Sequence, residues 1–382
     1  RSSAASDVYK RQAKKYPDIN MPTAITQIAG RQVAAEKIPS WREIEEIWYP
    51  KHLSLEQCSS EITARYKARL FQGDSLTDLT GGFGIDCSFL ATGFKSATYV
   101  ERQEELCEIA AHNFPILNLN HINVRNEDGV AYLQTMSPVD CIFLDPARRN
   151  EHGGKTVAIS DCEPNVAELE ALLLSKANRV MIKLSPMLDL SLALKELKHT
   201  QEIHILSVNN ECKELLILLR QTSPAEIAIH CVNLLTKGTQ EEQHLVFTRE
   251  QEQRSQCTYT DSLGNYLYEP NASLLKAGAF RSIAAAYPVR KLHPNSHLYT
   301  SDSFIENFPG RIFRIVNQCS FNKKEVKENL ADLKKANVTV RNFPATVAEL
   351  RKRLHLTEGG DTYLFASTLN NGQKVIIRCE KV

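Results

Sequence analysis

The sequence comprises 382 residues, of which 42% are hydrophobic and 24% are charged, and its formal net charge is +1. This composition excludes a disordered chain and suffices for two or three domains with buried cores. No run approaches the roughly 18 apolar residues that a membrane helix requires, and no charged segment followed by an apolar one opens the chain. We therefore expect a soluble, cytoplasmic protein without a membrane segment.

The cysteines and histidines do not form a recognisable metal or disulfide pattern. The 10 cysteines are scattered, and no two of them form the Cys-x-x-Cys pair that is typical of zinc and redox sites. We interpret them as reduced, mostly buried thiols. His293 and His297 are four residues apart, but Pro294 between them argues against a helix that would place both rings on one face. The sequence therefore predicts no metal site.

Basic residues are concentrated in the C-terminal third. Residues 271–382 contain 18 Lys and Arg against 9 Asp and Glu, a net charge of +9, which leaves −8 for the rest of the chain. Such an asymmetry indicates a module that faces a polyanion. The alternative is that lysine-rich helices simply face solvent.

The first seventy residues divide into a tail and a helical segment. Residues 1–12 have no apolar periodicity, and we expect a non-native or disordered tail there. Residues 13–72 have a helical pattern, in which an i, i+3, i+4 spacing relates Ile44, Ile47 and Trp48. A second helical run covers Glu56–Leu70.

Short apolar runs and helical stretches then alternate, which indicates right-handed crossovers and a parallel sheet. The predicted strands are Ser75–Leu79, Ala97–Val100, Ile122–Val124, Val139–Leu144 and Arg179–Leu184. The predicted helices are Cys87–Thr92, Glu104–Leu117, Val130–Thr135, Val166–Ser175 and Leu188–Leu197. Two further runs, Ile203–Val208 and Glu214–Leu219, lie on either side of Asn209-Asn210 and predict an antiparallel hairpin at the end of the sheet.

The remaining elements predict a smaller α/β region. After two more strands, Ala225–Leu235 and His244–Thr248, a polar stretch from Arg249 to Asn265 is the expected linker. The later predicted elements are a strand at Tyr266–Pro270, a helix at Leu274–Tyr287, a strand at Arg311–Val316, a helix at Lys323–Ala336, a strand at Val338–Arg341, a helix at Thr346–Leu354 and a hairpin around Asn371-Gly372.

A glycine-rich segment directly follows the first strand of the sheet. It reads Asp78-Leu-Thr80-Gly-Gly82-Phe-Gly84-Ile-Asp86 and leads into a helix. Glycines let the backbone approach a ligand closely, although a tight structural turn would also explain them. The acids that begin and end the segment repel a pyrophosphate but suit an ammonium group. The pattern therefore favours a ligand with an amino-acid tail.

Further acids follow the next strands of the sheet. Glu101 ends the second strand, where a carboxylate can accept both ribose hydroxyls, and Asp128 follows the third strand, where it can accept from an adenine amine. The fourth strand leads into Asp145-Pro146-Ala-Arg148-Arg149. We expect Asp145 to orient a substrate amine or hydroxyl beside the exposed carbonyl of Pro146. The two arginines suit a phosphate backbone, with surface salt bridges as the alternative.

These segments resemble class I S-adenosylmethionine-dependent methyltransferases, and more narrowly the bacterial proteins that join such a domain to a C-terminal THUMP-like domain. The resemblance is carried by Glu56–Lys67, Asp78–Asp86, Glu101, Asp128, Asp145–Arg148, Asn210–Leu215 and Tyr268–Gly278. It implies a Rossmann-like, seven-stranded α/β sheet preceded by helices and followed by a small α/β region with ferredoxin-like and THUMP-like parts. The implied boundaries are 73–250 for the methyltransferase domain, 251–313 for the linker and ferredoxin-like region, and 314–382 for the THUMP-like domain.

The resemblance also implies the cofactor, S-adenosyl-L-methionine, and roles for particular residues. The cofactor contacts would be Thr63, Asp78, Thr80, Gly82, Gly84, Glu101 and Asp128. In the superfamily the glycine-rich turn receives the methionine part, the second-strand acid the ribose and the third-strand acid the adenine. Asp145 and Pro146 would be the catalytic residues, and Arg148 and Arg149 would bind the substrate.

One departure from the superfamily bears on the substrate. Amine-directed nucleic-acid methyltransferases follow the fourth-strand acid or Asn with two prolines and an aromatic residue, where this chain has Ala147 and Arg148 in place of the second proline and the aromatic. A C5 mechanism would need a cysteine nucleophile, and Cys162 is the nearest in sequence. Lys183 on the fifth strand is a more distant catalytic candidate.

We therefore expect a methyltransferase that acts on structured RNA, tRNA or rRNA, held by the basic C-terminal region. A protein or small-molecule acceptor is the alternative substrate. The alternative functions are an RNA-binding protein with a degenerate methyltransferase domain and, third, an NAD-dependent dehydrogenase.

Overall fold

The computed structural model describes Arg11 and residues 14–149, 158–222 and 224–382. Apart from Arg11, the expected tail over residues 1–12 lies outside the described residues. The chain divides into two compact units, the first formed by residues 1–201 and 216–223 and the second by residues 202–215 and 224–382.

The helices with defined bounds that precede the sheet of the first unit, within the described residues, are shorter and more interrupted than the sequence predicts. They are α1 (Met21–Lys37), α2 (Pro39–Arg42), α3 (His52–Gln57) and α4 (Glu61–Leu70). The run predicted as one helix from Glu56 is broken between α3 and α4, because Ser60 adopts an extended conformation and caps α4 with its side chain.

The helix predicted around Ile44, Ile47 and Trp48 is wrong, since these residues lie in turns and irregular backbone. The amide N–H of Trp48 donates to Asn113 Oδ1 over 2.9 Å, and Asn113 Nδ2 donates to the carbonyl of Trp48, also over 2.9 Å. Ile47 packs into the core, while the Trp48 ring stacks on His112 with 3.6 Å between ring centroids. A distant side chain therefore takes the backbone hydrogen bonds that a helix would have made.

The first unit continues with alternating strands and helices, as the sequence predicts. The strands are β1 (Gly73–Asp78), β2 (Phe94–Glu101), β3 (Ile122–Asn126), β4 (Val139–Leu144), β5 (Ala147–Arg148), β6 (Cys162–Glu163) and β7 (Ala177–Leu184). The helices between them are α5 (Ile85–Ala91), α6 (Glu104–Ile116), α7 (Gly129–Thr135), α8 (Val166–Lys176) and α9 (Leu190–Glu196). Strands β3, β2, β1, β4 and β7 are neighbours in this order and pair in parallel, which brings their carboxyl ends to one edge.

The predicted hairpin is present as β8 (Thr200–Val208) and β9 (Glu211–Arg220). Asn209 and Asn210 connect the two strands with φ angles of 47° and 65°, the left-handed conformation that a two-residue hairpin turn requires. Strand β9 lies next to β7 and strand β8 lies beyond β9. The predicted fold class, a Rossmann-like methyltransferase sheet with a terminal hairpin, is confirmed.

The sheet has nine strands rather than seven, in the order β11-β10-β8-β9-β7-β4-β1-β2-β3. The added strands are β10 (Ala228–Leu234), which pairs in parallel with β8, and β11 (Glu242–Phe247), which pairs antiparallel with β10. Both strands were predicted, but their membership of this sheet was not. Strand β8 would otherwise be an edge strand, and β10 takes up its free backbone hydrogen-bonding groups.

The second unit also holds a seven-stranded sheet, in the order β13-β14-β12-β15-β18-β17-β16. Its strands are β12 (Tyr266–Pro270), β13 (Arg290–Lys291), β14 (Tyr299–Ser301), β15 (Gly310–Ser320), β16 (Asn337–Arg341), β17 (Thr362–Thr368) and β18 (Lys374–Lys381). The helices of this unit are α10 (Arg249–Arg254), α11 (Ala272–Ala277), α12 (Phe280–Ala286), α13 (Lys323–Leu330) and α14 (Val347–Leu354).

Two helices of the second unit differ from the prediction. The helix expected over Leu274–Tyr287 is split into α11 and α12 at Gly278, whose φ of 69° ends α11 in a left-handed cap. Helix α13 ends at Leu330 rather than at Ala336. The 10 cysteines are free thiols, and most of them are buried, as predicted. Within the described ranges, no helix has the length and apolarity needed to cross a bilayer.

Candidate functional site

The glycine-rich turn joins the carboxyl end of β1 to the first residue of α5. Gly81 donates its N–H to the carbonyl of Val100 over 2.8 Å, which holds the turn against β2. A Cβ on Gly81 would lie 2.3 Å from the ring of Tyr99, so no larger residue fits there. Gly84 has a φ of 90° and caps α5. Glycine is therefore required in this turn by close packing and by backbone conformation.

Glu101 is bound to the same turn from the end of β2. The N–H of Gly82 donates to Glu101 Oε1 over 3.0 Å, and the N–H of Gln103 donates to Oε2 over 2.7 Å. The hydroxyl of Tyr99 donates to the carbonyl of Gly82. These bonds fix the position of the Glu101 carboxylate at the sheet edge. The structure thus brings together two of the predicted cofactor-contacting groups, the glycine-rich turn and the second-strand acid.

Asp145 joins this cluster from the end of β4. Its N–H donates to Thr80 Oγ1 over 2.7 Å, and the N–H of Thr80 donates to Asp78 Oδ1 over 3.0 Å. Lys183, on the adjacent strand β7, places its Nζ 3.2 Å from Asp145 Oδ2. The Lys183 side chain is only 11% exposed, and that of Asp145 is 37% exposed. Solvent therefore reaches the site at Asp145, whereas the Lys183 side chain is largely buried.

Burial and mutual repulsion shift the pKa values of the acids in this cluster. Burial raises the pKa of Asp78 well above its usual range, and the charges of Asp86, Asp145 and Glu101 raise it further. The partial burial of Asp145 also raises its pKa, although the Lys183 ammonium opposes that shift. Perturbed carboxylates at the ligand-binding edge of an α/β sheet are the pattern expected of a functional site.

A buried ion pair between Lys67 and Asp86 interacts electrostatically with the acids of this cluster. Lys67 of α4 is fully buried, and its Nζ lies 2.9 Å from Asp86 Oδ1 and 2.9 Å from Ser59 Oγ. Ser59 in turn donates its hydroxyl to Asp86 Oδ2 over 2.7 Å. Burial by itself would raise the pKa of Asp86, but Lys67 and Lys183 outweigh it and hold this pKa below its usual value. The pair ties α4 to α5, the helix that follows the glycine-rich turn.

Two other predicted cofactor contacts are engaged in helix caps. Thr63 is buried in the first turn of α4, where its hydroxyl donates to the carbonyl of Ser60 over 3.1 Å. Asp128 is exposed and caps α7 by accepting the N–H of Ala131 at Oδ2 over 3.0 Å. Capping accounts for part of the hydrogen-bonding capacity of each side chain, and their roles toward a cofactor stay predictions.

The segment after Asp145 begins with a buried proline, Pro146, and continues to two exposed arginines, Arg148 and Arg149. Arg148 lies in β5, which pairs with β6, and Arg149 Nε is 3.9 Å from a carboxylate oxygen of Glu163. Exposure at the rim of the site is compatible with a phosphate-binding role for both arginines. Residues 150–157, which continue this segment, lie outside the described residues.

Cys162 lies in β6 beside this rim. The Cys162 thiol is buried, and burial together with the Asp161 charge raises its pKa. The nucleophilic thiolate is therefore disfavoured at neutral pH.

The two lysines of the site have weaker sequence signals than the acids. Lys183 is the one charged residue in the otherwise apolar run Val180–Leu184 of a buried strand, which was a usable signal. Lys67 had no such signal, because its partner Asp86 lies 19 residues along the chain on another helix. Only the folded structure shows that both ammonium groups act on the same buried acids.

A parallel sheet with acids at its carboxyl edge, a glycine-rich turn after β1 and a terminal antiparallel hairpin defines the class I methyltransferase fold. Comparison with known proteins is consistent with this class. Residues 266–309 match a family model described as a ferredoxin-like domain, and residues 310–381 match one described as THUMP domain-like.

One solved structure is similar to almost the whole chain. It is described as a "putative methyltransferase" from Porphyromonas gingivalis W83, and it is 36% identical over 98% of this chain and 98% of its own, with a TM-score of 0.87. The chain belongs to the bacterial family that joins a class I methyltransferase domain to a C-terminal THUMP-like domain. No protein of curated function matches the sequence.

Other solved structures resemble only part of the chain. An rRNA methylase from Streptococcus thermophilus is 14% identical over 42% of this chain and 93% of its own, with a TM-score of 0.30. A "putative methyltransferase" from Streptococcus mutans in complex with SAH is 12% identical over 42% of this chain and 96% of its own, also with a TM-score of 0.30.

Proposed function

We propose that the protein is an S-adenosylmethionine-dependent methyltransferase that acts on structured RNA, tRNA or rRNA. The observation that carries this proposal is the convergence of the glycine-rich turn, Glu101 and the Asp145–Lys183 pair at one edge of a parallel sheet. Ligands of open α/β sheets bind at that edge.

The residues present fit S-adenosylmethionine better than a dinucleotide. The buried Asp78 precedes the turn and the half-buried Glu101 of β2 is bonded to it, and their carboxylates suit an ammonium group and ribose hydroxyls but repel a pyrophosphate. We assign the methionine part to the turn around Gly82 and Gly84, the ribose to Glu101 and the adenine to Asp128. When bound, the cofactor supplies an activated methyl group on a sulfonium.

The protein residues then have only to bind and orient the acceptor. Asp145 can accept a hydrogen bond from an amine or hydroxyl of the acceptor and thereby direct the lone pair. Lys183 lies 3.2 Å from Asp145 Oδ2, so it fixes the carboxylate and favours its ionised form. Arg148 and Arg149 at the exposed rim would bind a phosphate of the same substrate.

Glu101→Ala is expected to weaken the binding of S-adenosylmethionine and of its demethylated product by about tenfold to a hundredfold. The reason is that hydrogen bonds to a charged group contribute about 1.5–3 kcal/mol each. Isothermal titration calorimetry measures the effect, with Glu108→Ala, an exposed position on α6, as the control. Equal affinities for the two variants would contradict the assignment of Glu101. Heat on addition of NAD, with none for either methionine derivative, would favour a dehydrogenase.

The RNA part of the proposal rests on the C-terminal charge. Residues 271–382 carry a net charge of +9, and Lys323, Lys324 and Lys327 of α13 are exposed. Such groups bind phosphates without reading bases, and their contribution falls as salt rises. This region is matched to a THUMP domain-like model over residues 310–381.

Replacing Lys323, Lys324 and Lys327 together by Gln is expected to lower the affinity of the full chain for bulk tRNA or rRNA and to flatten its salt dependence. Each lost phosphate contact should reduce the slope of log affinity against log salt by roughly one. Filter binding over a salt series measures this. The control replaces Lys95, Lys195 and Lys198, which are exposed lysines of the first unit. The same affinity and slope in both triple variants would contradict an RNA-binding role of α13.

The deciding experiment compares the modified nucleosides of total RNA from cells with and without the gene by mass spectrometry. Loss of one methylated nucleoside, restored by the wild-type gene, is the expected result. Binding of both cofactor and RNA without any such loss would instead favour an RNA-binding protein with a degenerate methyltransferase domain.

A further inference from the structure

Three neighbouring strands of the second unit place histidines and glutamates on one face of the sheet. In β8, Glu202 and His204 are two residues apart and therefore point to the same face. His230 of β10 lies directly opposite His204 in the parallel pair. In β11, His244 is two residues from Val246, which lies opposite His230, so His244 shares this face.

The distances among these side chains match those of metal ligands. His204 Nε2 is 3.3 Å from Glu202 Oε1, and His230 Nε2 is 3.5 Å from Glu202 Oε2. The ligand atoms of the three residues all lie within 4.8 Å of one another. Two ligands on a tetrahedral ion with bonds of about 2.1 Å are roughly 3.4 Å apart. The three side chains can therefore occupy neighbouring positions around one ion after small adjustments.

The contact between His244 and His230 is a second observation that indicates a metal site. Its Nε2 lies 3.0 Å from His230 Nδ1, the ring nitrogen that faces away from Glu202. A histidine that ligates a metal nearly always hydrogen-bonds through its other ring nitrogen, because this fixes the tautomer and the ring orientation. Glu242 extends this series of side-chain contacts, because its Oε1 lies 3.9 Å from His244 Nδ1.

We propose that Glu202, His204 and His230 bind one divalent transition-metal ion of the zinc type, and that His244 orients His230. Two imidazoles and a carboxylate favour zinc and its neighbours over magnesium or calcium, which prefer oxygen ligands. The rings of His204 and His230 are stacked, with centroids 4.2 Å apart, so their planes must tilt slightly for both lone pairs to converge on one ion. Three protein ligands leave the fourth position to water.

The cluster combines one buried ligand with two partly exposed ligands, so an ion can reach it from solvent. The side chain of His204 is only 2% exposed, whereas those of Glu202 and His230 are 31% and 20% exposed. The expectation of no metal site was drawn from the scattered cysteines and from the local spacing of His293 and His297. The signal that it overlooked is the Glu-x-His pattern in two strands, Glu202–His204 and Glu242–His244, with His230 in the strand between them.

The test titrates zinc chloride into the full, tag-free chain after chelator treatment and removal of the chelator. We expect one zinc ion per chain with micromolar or tighter affinity, and no comparable binding of magnesium. Glu202→Gln and His230→Asn should each lower the affinity at least tenfold, and His244→Gln by about tenfold to a hundredfold. The matched control is His199→Gln, because His199 also pairs with a carboxylate, Glu170 Oε1 at 3.2 Å.

Two further readouts keep the test decisive. Cobalt replaces zinc as an optical probe, and the expected spectrum has no thiolate charge-transfer band, which excludes the cysteines as ligands. If Glu202→Gln fails to fold by circular dichroism, the zinc-dependent rise in melting temperature of the wild type is compared with that of His244→Gln. Absence of zinc binding by the wild type, or equal binding by all variants, would overturn the proposal and leave a hydrogen-bonded His–Glu network.

Discussion

Asp145→Ala should abolish most of the methyl transfer while leaving cofactor affinity within about threefold of the wild type. The carboxylate lies at the open end of the site and contacts Lys183, whereas the glycine-rich turn is held by Glu101 and Val100. If Asp145 orients the acceptor, its loss affects the alignment of the reacting atoms, and misplacement by about 1 Å can cost roughly a hundredfold in rate. The measurement is restoration of the methylated nucleoside in cells that lack the gene, with calorimetry of the purified variant.

A control on the same strand separates this effect from general damage to β4. Asp140 lies at the opposite end of β4, where its Oδ2 accepts the N–H of Asp74 over 2.7 Å and that of Ser75 over 3.1 Å. Asp140→Ala should lower stability but leave methyl transfer per folded molecule unchanged. Full activity of Asp145→Ala would remove Asp145 from the mechanism. Equal losses of cofactor affinity and turnover would place it in the cofactor site instead.

Local sequence patterns predicted the elements of the sheet well but not all of their neighbours. Strand β4 was predicted with its exact bounds, because a run of six residues in which all but Asp140 are apolar, ended by Asp145-Pro146, has a clear local signal. The pairing of β10 with β8 has no such signal, since periodicity indicates which face of a strand is buried and not which strand lies beside it. The sheet was therefore predicted with seven strands instead of nine.

The candidate site shows the same division between local and long-range information. The glycine-rich turn, Glu101 and Asp145 follow from the rule that ligands bind at the carboxyl ends of parallel strands. The helix predicted around Trp48 is wrong because Asn113, far along the chain, binds that backbone through its side-chain amide. The burial of Lys67 against Asp86 was also missed. The two residues lie on different helices, and neither has a local sequence signal that predicts its burial.

Lys67→Met is expected to lower the free energy of unfolding by about 3–5 kcal/mol, the usual cost of removing one member of a buried ion pair. Methionine keeps most of the volume of lysine, so the loss reports the charge. Asp86 would be left in a site where burial opposes its ionisation, with Lys183 as the remaining cation that acts on it. Urea denaturation measures the change. The control is Lys95→Met, because Lys95 pairs with Asp74 over 3.1 Å at the surface and should contribute less than about 1 kcal/mol.

The pH dependence of this difference distinguishes a lost ion pair from altered packing. In the wild type the pKa of Asp86 is held below its usual value of 3.8, so its contribution to stability is present at neutral pH and is lost as the pH falls through the folded-state pKa. Without Lys67, burial should instead raise this pKa, so acidification protonates Asp86 in the folded variant and relieves the unpaired charge. The stability gap between the two proteins should therefore narrow as the pH falls. A gap that is independent of pH would assign the effect to packing, and a gap below about 1 kcal/mol at pH 7 would show that Lys67 and Asp86 contribute no more than a surface pair.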